Sequence, residues 1–216
     1  MNKDRKSDTP YLDTMLKYRE QMEVVLREGK TIASLRNGEA FKMVPQHIKK
    51  VLTISDTLGH WVGLPENELV NLDKTAALHD ADKRLEVRPD EFTEEEKLNL
   101  EKALTKAGLD KELLKVTKEK FIDENYDKVD ILTLPQMILY YADMLVSWNN
   151  IVNFEERIDE SKTRRPELSE SFFERELEFG KKIEARIFSA LPEDIKTQIG
   201  KPEQIPDFLK LTLEQK

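Results

Sequence analysis

Ten consecutive residues, Met137-Ile138-Leu139-Tyr140-Tyr141-Ala142-Asp143-Met144-Leu145-Val146, carry a single charge, that of Asp143. Wound into a helix, this run is apolar on every face, and a helix apolar all round must be covered by protein on all sides. Thr133-Leu134-Pro135-Gln136 just ahead of it has the spacing of a capping box and marks the helix start. The apolar pattern predicts that the helix runs on through Trp148 and Ile151 toward Glu156-Arg157. Asp143 is thereby placed in the interior. A buried carboxylate needs a cationic side chain, a hydrogen-bond donor or a metal ion.

A second stretch makes the same demand. In Leu72-Asp73-Lys74-Thr75-Ala76-Ala77-Leu78-His79-Asp80-Ala81-Asp82-Lys83, steps of three and four back from His79 reach Ala76, Leu72 and Leu69, so the histidine ends an apolar stripe and points inward. Asp80 is turned from it by about 100°. If the helix persists, Asp82 and Lys83 return to the histidine's side, and Lys83 stands one turn beyond it. One helix upstream, Val44, Ile48, Val51, Leu58 and Val62 form a buried side from Pro45 to about Val62, with His47 on its flank. Gly63 ends that helix, and Pro65 opens the one that carries His79.

The rest of the chain supplies packing. Leu12, Met15, Leu16, Met22, Val25 and Leu26 predict a helix from Pro10 to about Glu28, and Asn37-Gly38 marks a turn. Arg84 to Glu91 reads as a polar connection, placed as a lid would be. Thr93-Glu94-Glu95-Glu96 is a capping-box start, followed by helices to about Ala107 and, past Gly108, to about Phe121. The charge runs Asp110-Lys111-Glu112 and Lys115 to Lys120 read as solvated faces. After a break at Arg164-Arg165-Pro166, Phe173, Leu177, Gly180, Ile183, Ile187 and Leu191 make one apolar stripe. A short helix follows Pro192, and the segment from Lys201 is too interrupted by proline to assign. With no convincing strand and no repeat, the expected fold is all-α, one domain over 10–200 with tails at 1–9 and 201–216.

Composition narrows the function. A formal charge of −8 gives no broad attraction to nucleic acid or anionic lipid. The absence of cysteine removes disulfides and thiolate chemistry. The charged start, Met1 to Lys6, is not followed by a secretory apolar region, and no stretch approaches the roughly 18 apolar residues of a membrane span. A cytoplasmic protein without membrane or nucleic-acid partners is expected.

The order His47, then His79-Asp80, then a distant Asp143 resembles the HD-domain superfamily of metal-dependent phosphohydrolases. The local texts are Pro45-Gln46-His47-Ile48-Lys49-Lys50-Val51, Leu58-Gly59-His60-Trp61-Val62-Gly63-Leu64-Pro65-Glu66, Ala76-Ala77-Leu78-His79-Asp80 and Tyr141-Ala142-Asp143. The resemblance spans Val44 to Arg157. It implies an HD-type helical bundle with extra terminal helices, in which His47, His79, Asp80 and Asp143 converge on one divalent cation. Mixed imidazole and carboxylate ligation suits Mn, Fe, Co, Ni, Zn or, less well, Mg. Such a cation acidifies a bound water and polarises a phosphoryl oxygen. In this likeness Asp80, Lys83 and Asp82 form the catalytic set. Lys83, at the lysine of the His-Asp-x-x-Lys form, meets the substrate phosphate, and Asp82 orients water or is simply a helix-end acid. The deoxynucleotidase branch has glutamate at the Lys83 position.

His60 lies thirteen residues beyond His47, about 20 Å along one helix, and cannot share its metal. No histidine follows His79, whereas dinuclear members of the superfamily add histidines there, so one metal is expected. Lys50 and Arg157 read as ion-paired surface residues rather than phosphate ligands. The function expected from the resemblance is hydrolysis of a nucleotide or other small phosphate ester. The alternatives are a catalytically silent metal- and nucleotide-binding regulatory module, and an interaction scaffold with structural histidines.

Overall fold

A computed structural model describes residues 39–80, 92–147 and 150–214. The expected helix at 10–28 and the lid segment lie outside the described residues, apart from Phe92 at the lid's end. The described chain is all-α except for one pair of two-residue strands. Helix α1 is Glu39–Trp61, α2 Glu66–Leu78, α3 Glu94–Ala107, α4 Lys111–Leu114, α5 Glu119–Asn125 and α6 Leu134–Met144. After strands β1 (Val146–Ser147) and β2 (Asn150–Ile151) come α7 Phe154–Arg164, α8 Glu170–Ala190, α9 Glu193–Ile199 and α10 Ile205–Glu214.

The apolar run is the element the others cover. Residues 137–142 of α6 are buried without interruption, and α6 packs against α1, α2, α4 and α8. Thr133 accepts from the Gln136 backbone, and Gln136 Oε1 accepts from Thr133 N at 2.9 Å, so the capping box is formed. Each fully buried aliphatic or aromatic side chain here contributes about 1.5–3 kcal/mol. Of the expected stripe, Phe173, Gly180, Ile183 and Ile187 are buried on α8, Leu191 is buried at its cap and Leu177 is half-buried, and Gly180 has a specific task. A Cβ at that position would lie 2.1 Å from Phe154 Cε1, so only glycine lets α7 bring its first ring down onto α8.

Several boundaries differ from the sequence reading. Helix α1 begins at Glu39, not Pro45. Proline in the second turn forfeits one i to i−4 hydrogen bond, a loss carried by a 23-residue helix whose inner face is buried at Ile48, Val51, Leu52, Ile54 and Leu58. Its far end follows the sequence: Gly63 adopts φ 72°, with Leu64 N bonded to Gly59 O and Gly63 N to His60 O, a Schellman stop. The segment past Gly108 is not one helix but α4, a 3₁₀ turn at Lys115–Thr117, and α5.

Two more differences bear on the site. The α6 helix stops at Met144 instead of running through Ile151, and Val146 and Ile151 face each other across an antiparallel pair. The chain turns helical again only at Asn153, whose side chain accepts from Glu156 N while Glu156 returns the bond to Asn153 N. At the C-terminal end, 202–204 form a 3₁₀ turn, and α10 buries Ile205 and Leu209, with Phe208 against Trp61. No helix among the described residues is long and apolar enough to cross a membrane.

Candidate metal centre

Helix α1 packs along both α2 and α6, and the place where the three meet holds the four side chains singled out above. His47 comes from α1, one turn before buried Val51. His79 is the C-cap residue of α2 and Asp80 follows it in a turn. Asp143 comes from the last turn of α6. His79 is buried, its side chain 2% exposed, as the stripe through Leu69, Leu72 and Ala76 requires. Asp143 is less enclosed than the sequence suggests: its side chain keeps 25% exposure, because α6 ends beside it. The site is thus walled by protein and open at one side.

The donor atoms converge. His47 Nε2 lies 3.3 Å from His79 Nε2, 3.1 Å from Asp143 Oδ1 and 3.8 Å from Asp80 Oδ2. His79 Nε2 lies 3.6 Å from Asp143 Oδ1 and 3.8 Å from Asp80 Oδ2. For metal–ligand bonds of about 2.1 Å, neighbouring ligands stand about 3.0 Å apart in an octahedron and about 3.4 Å in a tetrahedron. The His–His and His–Asp143 separations lie near those values, and the two to Asp80 are longer. His47, His79 and Asp80 form a group that could hold a metal ion, and Asp143 stands beside its two histidines.

A hydrogen bond fixes the tautomer of His79. Its Nδ1 is 2.7 Å from the Ala76 carbonyl oxygen, which can only accept, so Nδ1 carries a proton and Nε2 is the atom turned toward the cluster. Such a carbonyl behind the imidazole is the usual way a metal-binding histidine is oriented.

Electrostatics point the same way. Burial works to lower the pKa of His79, but the charges of Asp80 and Asp143 and the hydrogen bond to Asp143 outweigh it and push it up to about 9. Burial likewise works to raise Asp143, yet hydrogen bonds and charge from His47 and His79 hold it well below the usual carboxylate range. A raised imidazole beside a depressed carboxylate marks a place where positive charge is favoured.

The remaining sequence candidates separate from this group or fall outside it. Asp82 and Lys83 lie outside the described residues, and α2, on which Lys83 was expected to continue, ends at Leu78. His60 is exposed and sits 3.4 Å from Asp56 on its own helix. Lys50 is half-buried. Arg157 is ion-paired as expected but is not a surface residue: it pairs with Glu160 at 3.0 Å and is only 13% exposed, in a network where Glu160 also accepts from Ser147 and faces Arg164.

Four buried acids were not anticipated. Glu184 accepts from Tyr141 Oη at 2.7 Å, Glu176 pairs with Arg165, Asp56 lies beside His60, and Asp73 is 5% exposed with Oδ1 lacking a hydrogen-bond partner among the described residues. Only Asp73 had a signal. It lies four residues after Leu69 on the edge of the apolar stripe, where a carboxylate is out of place.

Comparison with family models, with curated proteins and with solved structures gives no match.

Proposed function

We propose that the chain is a metal-dependent phosphohydrolase of the HD-domain type, cleaving a nucleotide or another small phosphate ester with water. The observation that supports this most directly is the grouping of His47, His79 and Asp80, with Asp143 Oδ1 3.1 Å and 3.6 Å from the two histidines. The donor set fits one divalent cation among Mn, Fe, Co, Ni, Zn and Mg. When bound there, a divalent ion supplies Lewis acidity toward a phosphoryl oxygen and an acidified water as nucleophile.

The protein's own part is positional. The Ala76 carbonyl holds the His79 ring with Nε2 inward. The partial exposure of Asp143 and Asp80 leaves one side of the centre open to solvent and to a ligand. In this reading Asp80 also accepts the proton of the attacking water, Lys83 neutralises the phosphate charge that builds in the transition state, and Asp82 orients the water. These tasks for Lys83 and Asp82 rest on the sequence resemblance.

The test is metal analysis of purified protein followed by assay of nucleotides and sugar phosphates with Mn, Co, Ni and Mg. The proposal expects close to one equivalent of metal, turnover of at least one phosphate ester, and loss of both in His79→Ala and in Asp143→Ala. Chelation should lower the melting temperature of the parent but not of the two variants. Stoichiometric metal with tight nucleotide binding and no turnover would turn the reading toward a regulatory module. Metal-free protein whose activity survives both substitutions would refute it.

A further inference from the structure

The charge runs of the segment after Gly108, which as sequence suggest only solvated faces, enclose something apolar. Between α3, α4 and the 3₁₀ turn lies a pocket of about 380 Å³, within the roughly 300–1,000 Å³ range of small-molecule sites. Its floor is Leu104, Leu109 and Leu114, all buried, with Leu100 beside them. Its rim is Lys97, Lys111, Lys115 and Lys118, with Glu101 as the one acid in the lining. Four ammonium groups line a leucine floor, three of them held by the carboxylates of Glu94, Glu101 and Glu112.

The rim is poised for exchange. Lys97 pairs with Glu94 at 2.6 Å, Lys115 with Glu112 and Lys111 with Glu101. Glu94 and Glu112 are largely exposed, and exposed pairs of this kind are worth only about 0–1 kcal/mol each. An entering anion can therefore replace a glutamate at little cost, while its apolar part covers leucine surface that no glutamate reaches. An inorganic anion would leave the floor wet, and a neutral apolar molecule would gain nothing from the rim.

The geometry points to a binding site for a small amphipathic carboxylate: the carboxylate on Lys97, Lys111, Lys115 and Lys118, and a medium-length acyl chain on Leu104, Leu109 and Leu114. This site is separate from the His47, His79, Asp80 and Asp143 centre and stands whether or not that centre hydrolyses phosphate esters. It is anchored in the fold, because Asp110, between α3 and α4, accepts from Asn71 Nδ2 at 2.8 Å and its N–H donates to Thr75 Oγ1 at 3.2 Å, both on α2.

The experiment is an NMR titration of the full chain with sodium octanoate, beside octyltrimethylammonium, octanol and acetate. The site predicts saturable shifts for octanoate at the Leu104, Leu109 and Leu114 methyls, and none of comparable affinity for the other three. In the double variant Lys97→Gln/Lys115→Gln, affinity for octanoate should fall about tenfold, equal to 1.4 kcal/mol, with the helical circular dichroism unchanged. Both lysines reach solvent, so the variant tests the rim and not the fold. Equal binding of octanol or octyltrimethylammonium would overturn the role of the rim, and equal binding of acetate that of the floor. Absence of saturable shifts at millimolar octanoate would overturn the site.

Discussion

Replacing Asp73 by asparagine should stabilise this protein, by an amount that grows with pH. Asp73 is 5% exposed on α2, its Oδ1 has no hydrogen-bond partner, and burial, then the charges of Asp56 and Glu66, push its pKa from 3.8 up to about 8. The folded pKa is raised, so the folded state holds the proton after the unfolded chain has released it. Stability is therefore complete below the unfolded value and is lost as pH rises, until the folded carboxyl itself ionises near pH 8.

The slope between those limits is about 1.4 kcal/mol per pH unit. From 3.8 to neutrality the loss amounts to about 4 kcal/mol, a large part of the 5–15 kcal/mol that holds a typical domain together. Asparagine keeps the shape and carries no charge at any pH. Urea unfolding of Asp73→Asn and parent, followed by circular dichroism at a series of pH values from 4.5 to 9, should show a difference of about 1 kcal/mol at the acid end. It should widen to about 4 kcal/mol at neutrality and level off above pH 8. Two curves offset by the same amount at every pH would refute the argument, since an uncharged packing effect has no reason to titrate.

Two further substitutions test the packing. Gly180→Ala forces a methyl to within 2.1 Å of the Phe154 ring, so α7 must lift from α8. A loss of about 1–3 kcal/mol or more is expected, and thermal unfolding will show it. Asn153→Ala removes the cap from α7, which should cost about 1 kcal/mol and raise amide exchange at Glu156, the N–H that Asn153 Oδ1 now accepts at 2.9 Å.

What could be read in advance follows from how local each signal is. The boxes at Thr93 and Thr133 are complete within four residues, and both form. His79 faces inward because three apolar residues on the same stripe do. That it faces His47, 32 residues earlier, and Asp143, 64 later, depends on how α1 lies across two helices, which no spacing within one helix reveals.

The end of α6 was misplaced for the opposite reason. Asn153-x-x-Glu156 is a helix start as clear as the other two, and Ser147, Asn149 and Asn150 already break the apolar pattern between Val146 and Ile151. The prolines after Lys201 misled as well. Pro202 sits in a 3₁₀ turn and Pro206 in the first turn of α10, where a missing N–H leaves no bond unmade. The place of Asp73 on the edge of the stripe is visible in the sequence, but its raised pKa depends on the neighbouring helix α1, which brings Asp56 close.

Two of the three helices that carry the cluster end beside it, α2 at His79 and α6 just after Asp143. Asp143 lies in the last turn of α6 and His79 caps α2, so two helix C-termini, each equivalent to about half a negative charge, are directed at a cluster already holding two carboxylates. The backbone thereby adds to the field that draws in a cation. Under the proposed function a phosphate ester meets the same field as repulsion until a cation is in place, so that reading expects metal to bind before substrate.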